Sequence, residues 1–200
     1  MSIHAYLETV RQALASTNVD ALEAVTSLLH DAYRAGTTVY TCGNGASAAL
    51  ASHMACDLGK GTASDLSRGP QQRAERRLRV VCLNDNTALM TALANDLAYE
   101  DVYLEQLKNV LMPGDLVIGI SGSGGSPNVL RALEYARLHG ARTVGFTGRQ
   151  AKCELIRPLC DVLAQAPLEM MEQIEDAHVI YFHAVAVALR ERLRAALQDA

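Results

Sequence analysis

Two groupings of histidine with carboxylate, and two turns rich in glycine and serine, are the parts of this sequence able to do chemistry. His53 and Asp57 stand four residues apart in a helical pattern, so both side chains fall on one helix face and can reach one ion or one substrate. Such a pair also reads as a plain hydrogen bond on a helix surface. Glu175, His178 and His183 place a second acidic and imidazole group in an otherwise apolar helical run, where buried polar groups need partners. His53, Asp57, Glu175 and His183 together make a nitrogen-and-oxygen donor set of the kind zinc accepts. Residues 175 and 183 lie about 12 Å apart along an ideal helix. The four therefore meet only by reaching toward one another, or where subunits join. His178 either supports that set from behind or is a satisfied interior histidine.

The first turn, Gly43-Asn44-Gly45-Ala46-Ser47, separates an apolar run from a helix; the second, Ser121-Gly122-Ser123-Gly124-Gly125-Ser126, does the same. Backbone N–H groups and the positive end of a helix face an anion in such a turn, and the hydroxyls of Ser121, Ser123 and Ser126 suit phosphate oxygens. One such turn is weak testimony. Two at the carboxyl ends of strands in one α/β domain are much stronger, because ligands bind at that edge. Neither is a Walker loop, which needs Gly-Lys-Ser/Thr, nor a full dinucleotide fingerprint. A phosphosugar fits better than a nucleotide. Asp85 and Asp96, at strand and helix ends near the expected cleft, either orient sugar hydroxyls or cap helices.

The elements that must position these residues are legible in the hydrophobic pattern. Tyr6, Leu7, Val10 and Leu14, then Leu22, Val25, Leu28, Leu29 and Tyr33, recur with helical spacing, and Gly36 ends the second run. Strands are expected at Thr37 to Cys42, Arg79 to Leu83, Leu116 to Ile120, Thr143 to Phe146 and Val162 to Ala164. Helices are expected between them: one capped by Asn86 or Thr87, one over Tyr99 to Leu111, one opening at Ser126-Pro127, and a long one from Leu168 to about Leu197. This alternation predicts a parallel sheet with helices on both faces.

Composition bounds the function. The chain has 200 residues, half of them hydrophobic, and fits one domain with a substantial core. No apolar run approaches the roughly 18 residues of a membrane span, and no signal peptide is seen, so a soluble cytoplasmic protein is expected, with no membrane partner. The formal charge of −4 gives no reason to propose nucleic acid as a partner. One local basic cluster, Arg68, Arg73, Arg76, Arg77 and Arg79, reads as a solvated segment or as substrate contacts. The five cysteines lack paired Cys-x-x-Cys spacing and read as reduced, mostly buried thiols.

These residues resemble the sugar isomerase (SIS) domain proteins, and within them the bacterial phosphoheptose isomerases. The resemblance rests on Cys42-Gly43-Asn44-Gly45-Ala46-Ser47, His53, Asp57, Ala94-Asn95-Asp96, Gly119-Ile120-Ser121 and His183, and spans nearly the whole chain. It implies a three-layer α/β sandwich with a five-stranded parallel sheet of flavodoxin-like type, formed by a single domain over residues 1–200. Residues 1–35 would be oligomerising helices and 36–200 the α/β core. It also implies a homotetramer with active sites between subunits, one zinc ion per subunit, and conversion of sedoheptulose 7-phosphate to D-glycero-D-manno-heptose 7-phosphate. Asn44, Ser47, Asp96, Ser121, Ser123, Ser126 and Glu172 match substrate and phosphate contacts. His53, Asp57, Glu175 and His183 match metal ligands, with His183 and Asp57 also the proton-transfer candidates.

Several positions depart from the family pattern. Asp57 stands where a glutamate is usual, Glu175 where a glutamine is usual, Gly122 replaces a threonine, and Gly61 replaces an arginine beside Lys60. Aspartate has one fewer methylene than glutamate, which would withdraw the carboxylate by about 1.5 Å, a displacement costly to rate. Two carboxylates and two imidazoles would still hold a divalent cation. Two alternatives stay open: a non-catalytic member of the fold that binds the bacterial replication initiator, and an isomerase for a related phosphoketose.

Overall fold

The computed structural model describes residues 1–62 and 77–198. Helices α1 (Ile3–Ala15) and α2 (Val19–Ala35) lead the chain, capped by Ser2 and Asn18, whose side chains accept from the N–H groups of Ala5 and Ala21. Gly36 ends α2 with φ 74°, a left-handed conformation that glycine adopts without strain. There follow β1 (Thr38–Gly43), α3 (Ala46–Gly61), β2 (Arg79–Cys82), α4 (Thr87–Asp96), α5 (Val102–Val110), β3 (Leu116–Ile120), α6 (Pro127–Leu138), β4 (Arg142–Thr147), the single turn α7 (Cys153–Ile156), β5 (Val162–Gln165) and α8 (Met171–Gln198).

The strands form one parallel sheet in the order β2-β1-β3-β4-β5. Val39 pairs with Leu116 and Gly43 with Ile120, so the ends of β1 and β3 lie side by side. Strand order reverses between these two strands, and their following helices leave on opposite faces. That is the switch point at which open α/β sheets bind ligands.

Both β1 and β3 are buried throughout, because helices cover the sheet on both faces. Val39, Ile118, Ile120 and Phe146 enter a core shared with α2, α3 and α8, whereas Tyr40, Cys42 and Val117 enter one shared with α5, α6 and α7. The expected three-layer architecture is therefore observed. Along α8 the buried residues Ile174, Ala177, Tyr181, Phe182, Val185, Leu189 and Leu193 recur at three- and four-residue intervals, forming the stripe that fixes its rotation. Each large side chain in that stripe contributes about 1.5–3 kcal/mol by leaving water.

His178 is the satisfied interior histidine of the two readings. It is 1 % exposed, its Nε2–H donates to the Thr147 carbonyl at 3.1 Å, and its ring meets Phe146 edge-on. Burial lowers its pKa to about 4, partly offset by that hydrogen bond. The neutral ring's contribution is complete above the ordinary histidine value of about 6.5 and is lost as pH falls through about 4. Stability is expected to drop by about 2–4 kcal/mol over that window, because the unfolded chain takes up a proton the folded one refuses. Urea midpoints at pH 7 and 4.5 measure this, and His178→Gln, which keeps a donor for Thr147, should flatten the slope.

Differences from the sequence expectation are local. The segment expected as one helix from Tyr99 to Leu111 begins as a 3-10 turn, Tyr99–Asp101, whose Tyr99 hydroxyl is drawn to Asn44 at 2.9 Å. The cap of α4 is Asn86, accepting from Leu89 N–H at 3.1 Å. Of the basic cluster, Arg68, Arg73 and Arg76 lie outside the described residues; Arg77 is exposed and Arg79 donates to the Gly36 carbonyl. Cys42, Cys82 and Cys153 are buried, Cys160 is partly buried and Cys56 is exposed. Among the described residues no helix is long and apolar enough to cross a membrane.

Candidate active site

The core-facing residues Leu50, Met54 and Leu58 seat α3 on the sheet, and His53 and Asp57 occupy the adjoining column of the same helix. On α8, His183 directly follows the buried Phe182. Packing of α3 against α8 therefore sets the two polar columns edge to edge. His53 Nε2 is 3.0 Å from Asp57 Oδ2, His183 Nε2 is 3.5 Å from His53 Nε2, and His183 Nε2 is 4.0 Å from Asp57 Oδ2. Phe182 lies against both imidazoles, with ring centroids 5.7 Å from His53 and 5.4 Å from His183. Lys60 Nζ approaches the other carboxylate oxygen of Asp57 at 3.8 Å.

These three residues are, among the described ones, the group whose ligand atoms all lie within 4.8 Å of one another. Two imidazole nitrogens and a carboxylate oxygen converging this closely form a donor set able to hold a divalent metal ion. The shorter aspartate is no obstacle to the grouping, because Asp57 Oδ2 already reaches His53 and approaches His183. Glu175 stands outside the group, two turns earlier on α8. Burial, followed by the negative charges of Glu172 and Asp176, raises its pKa, and it forms no ion pair among the described residues. Glu172 and Asp96 are exposed; the Asp96 carboxylate accepts from the Asn95 amide at 2.8 Å.

At the switch point the two serine turns adjoin. In the second, Ser121 Oγ lies 3.0 Å from Ser126 Oγ and 3.5 Å from Ser123 Oγ, and the Gly125 and Ser126 N–H groups turn toward these hydroxyls. In the first, Ser47 is 7 % exposed and its hydroxyl bonds no described residue, which leaves it available to a ligand. Neither α3 nor α6 is capped by its N-cap side chain; in α6 Pro127 has no N–H and the Val129 N–H donates to Asn128 Oδ1 at 3.0 Å, which leaves the Ala46 and Ser47 amides of α3 and the Asn128 amide of α6 bonded to no described group.

Asn44 is committed to holding the two turns together. Its amide exchanges hydrogen bonds with that of Asn128 at 2.9 Å in both directions, and its oxygen also accepts from the Tyr99 and Tyr103 hydroxyls. Asn84 bridges Gly43 and Tyr103 from below. Asn84, Tyr99, Tyr103 and Asn128 were missed by sequence reasoning. The only available signal was Asn128, a polar residue immediately after Ser126-Pro127.

Glycines mark where chain crosses chain. A Cβ on Gly43 would lie 2.7 Å from the Ser47 backbone carbon and oxygen. Gly43→Ala is expected to cost about 1–3 kcal/mol and to displace Ser47, both visible as a lower melting temperature and weaker protection by phosphate. At Gly122 a Cβ would lie 2.5 Å from Met171 Sδ, so methionine fills the space a side chain at that position needs. At Gly61 a Cβ would meet no described atom within 4 Å, and nothing among the described residues explains the glycine.

The sequence profile described as the SIS domain matches residues 4–148. The chain is 32% identical over 189 residues to the phosphoheptose isomerase of Aliarcobacter butzleri, covering 94% of each protein. It is 32% identical over 189 residues to that of Chlorobaculum tepidum, covering 94% of this chain and 86% of the other. Among solved structures, the phosphoheptose isomerase of Neisseria gonorrhoeae superimposes with a TM-score of 0.82 at 25% identity, over 94% of this chain and 97% of that one. With the switch-point turns, the imidazole–carboxylate group and this match in hand, the chain belongs to the SIS domain family.

Proposed function

We propose that this protein is an aldose–ketose isomerase that converts sedoheptulose 7-phosphate to D-glycero-D-manno-heptose 7-phosphate in the cytoplasm. The observation that carries the proposal is the convergence of His183 on α8 with His53 and Asp57 on α3, the helix that springs from one phosphate-type turn, with the second turn beside it. His53 stands six positions after Ser47, about 9 Å along the helix axis, the length scale of a sugar phosphate. Ser47, Ser121, Ser123 and Ser126 would bind the phosphate and so orient the opposite end of the sugar toward the two histidines.

Isomerisation moves one proton between C1 and C2 through an enediol. His183 is assigned as the base that removes and returns it, and Asp57 as its acid–base partner at the oxygens. His53, Asp57 and His183 would hold zinc, with Glu175 proposed as a fourth donor where subunits join. Bound zinc supplies Lewis acidity toward the carbonyl and the enediolate. Asp96 and Glu172 are assigned to sugar hydroxyls.

The active unit is proposed to be a homotetramer with sites between subunits. Two features support this: the side chains of His53 and His183 are nearly half exposed, at 45% and 47%, and Val179, Ile180 and Val187 expose apolar surface on the same helix. A purely binding role would not require three ligand groups to converge. Assay of zinc-replete protein against ketose phosphates of seven, six and five carbons tests the reading. Fastest conversion of the seven-carbon substrate is expected, and failure to convert any of them would overturn it.

A further inference from the structure

The second serine turn is clasped by the loop that follows β4. The Gly148 N–H donates to the Gly122 carbonyl at 2.8 Å, and Thr147 Oγ1 approaches the same oxygen at 3.5 Å. Gly124, with φ 70°, faces the backbone of Cys153, where a Cβ would lie 2.5 Å from its Cα. At Gly125 the missing side chain's place is taken by the methylenes of Lys152, with Cδ 2.7 Å and Cβ 2.8 Å from where a Cβ would stand. The paired glycines of the turn thus exist to admit this loop, and the loop lays a lysine stem on the turn.

The ammonium of that lysine is uncommitted. Lys152 is exposed and forms no hydrogen bond or ion pair with a described side chain. Of the acidic residues that follow it in sequence, Glu154 is engaged with Arg157 at 2.9 Å and Asp161 with Arg142 at 3.0 Å. The turn itself offers three hydroxyls and backbone amides, which carry only partial charges. A phosphomonoester brings close to two negative charges at neutral pH. We infer that Lys152 is the counter-ion of the phosphate held by Ser121, Ser123 and Ser126, and that it selects dianionic phosphomonoesters over neutral sugars. This rests on the phosphate-turn reading proposed above and adds to it a specificity-determining cation. A lysine suits the role because its single mobile charge on a methylene stem can follow the phosphate while the stem stays packed.

The test measures binding of inorganic phosphate by calorimetry, which needs no turnover, alongside KM for the sugar phosphate. Lys152→Met, which keeps the stem, is expected to weaken phosphate binding about tenfold and raise KM by a similar factor, with kcat within about twofold. Lys152→Arg should recover most of the loss. Arg149→Met removes the same charge from the same loop and should change neither constant by more than about twofold. Equal losses in the Arg149 and Lys152 variants, or an unchanged Lys152→Met, would overturn the inference while leaving the isomerase reading intact. Lys152-dependent phosphate binding in a protein that isomerises nothing would uphold the inference and remove the isomerase reading. Absence of phosphate binding by the wild-type protein would overturn the inference outright.

Discussion

His183→Ala is expected to lower turnover of sedoheptulose 7-phosphate by roughly 10²–10⁴-fold, the usual contribution of a positioned general base. Three observations make this position critical. Its Nε2 stands within 3.5 Å of His53 Nε2 and 4.0 Å of Asp57 Oδ2, its ring leans on the buried Phe182, and nearly half of its side chain faces outward, where substrate arrives. Alanine leaves Phe182 and the α8 stripe untouched, so thermal stability should fall by no more than about 0.5 kcal/mol, as for surface substitutions. Zinc content should fall with activity, because one of three converging donors is lost. Activity preserved within about threefold would show that the proton is handled elsewhere.

Asp57→Asn should be nearly as damaging, for a different reason. The aspartate bonds His53 at 3.0 Å and stands 3.8 Å from Lys60 Nζ, so it is both the anionic donor and the orienting partner of an imidazole. Asparagine keeps the shape and removes the charge. Loss of a ligating carboxylate is expected to weaken zinc binding by more than the 10–100-fold that outer-shell partners are worth, and turnover at limiting zinc should fall in proportion. Asp57→Glu provides the contrast. The carboxylate already bonds His53 and lies 4.0 Å from His183 Nε2, so lengthening it should not raise activity by more than about twofold. Competition with a chromophoric chelator reads the affinities directly.

The strands and the two turns were legible because each has a local cause. Val39, Ile118 and Phe146 on one face of the parallel sheet and Tyr40 and Val117 on the other are all buried, so the strands read as apolar runs, while Gly45 and Gly124 sit at positive φ where other residues are strained. His53 and Asp57 were legible as a pair because their contact is made within one helical turn. Their meeting with His183 is 130 residues distant in sequence and depends on how α3 and α8 cross, which no local pattern encodes. The same limit explains the Asn44–Asn128 exchange and the place of Lys152. Each is made between elements that are remote in the chain and neighbours only across the sheet edge. Glu175 shows the converse. Helical spacing put it on the same helix as His183, but two turns of rise keep its carboxylate out of the group that the two histidines and Asp57 form.

The most direct measurement is to incubate zinc-replete protein with sedoheptulose 7-phosphate in deuterium oxide and follow the sugar by proton NMR. An isomerase that moves a proton through an enediol with His183 should form the aldose 7-phosphate, with deuterium appearing at C2 in wild type and not in His183→Ala. Neither aldose nor deuterium in the wild-type reaction, with phosphate binding intact, would contradict the assignment of His53, Asp57 and His183 as an isomerase centre.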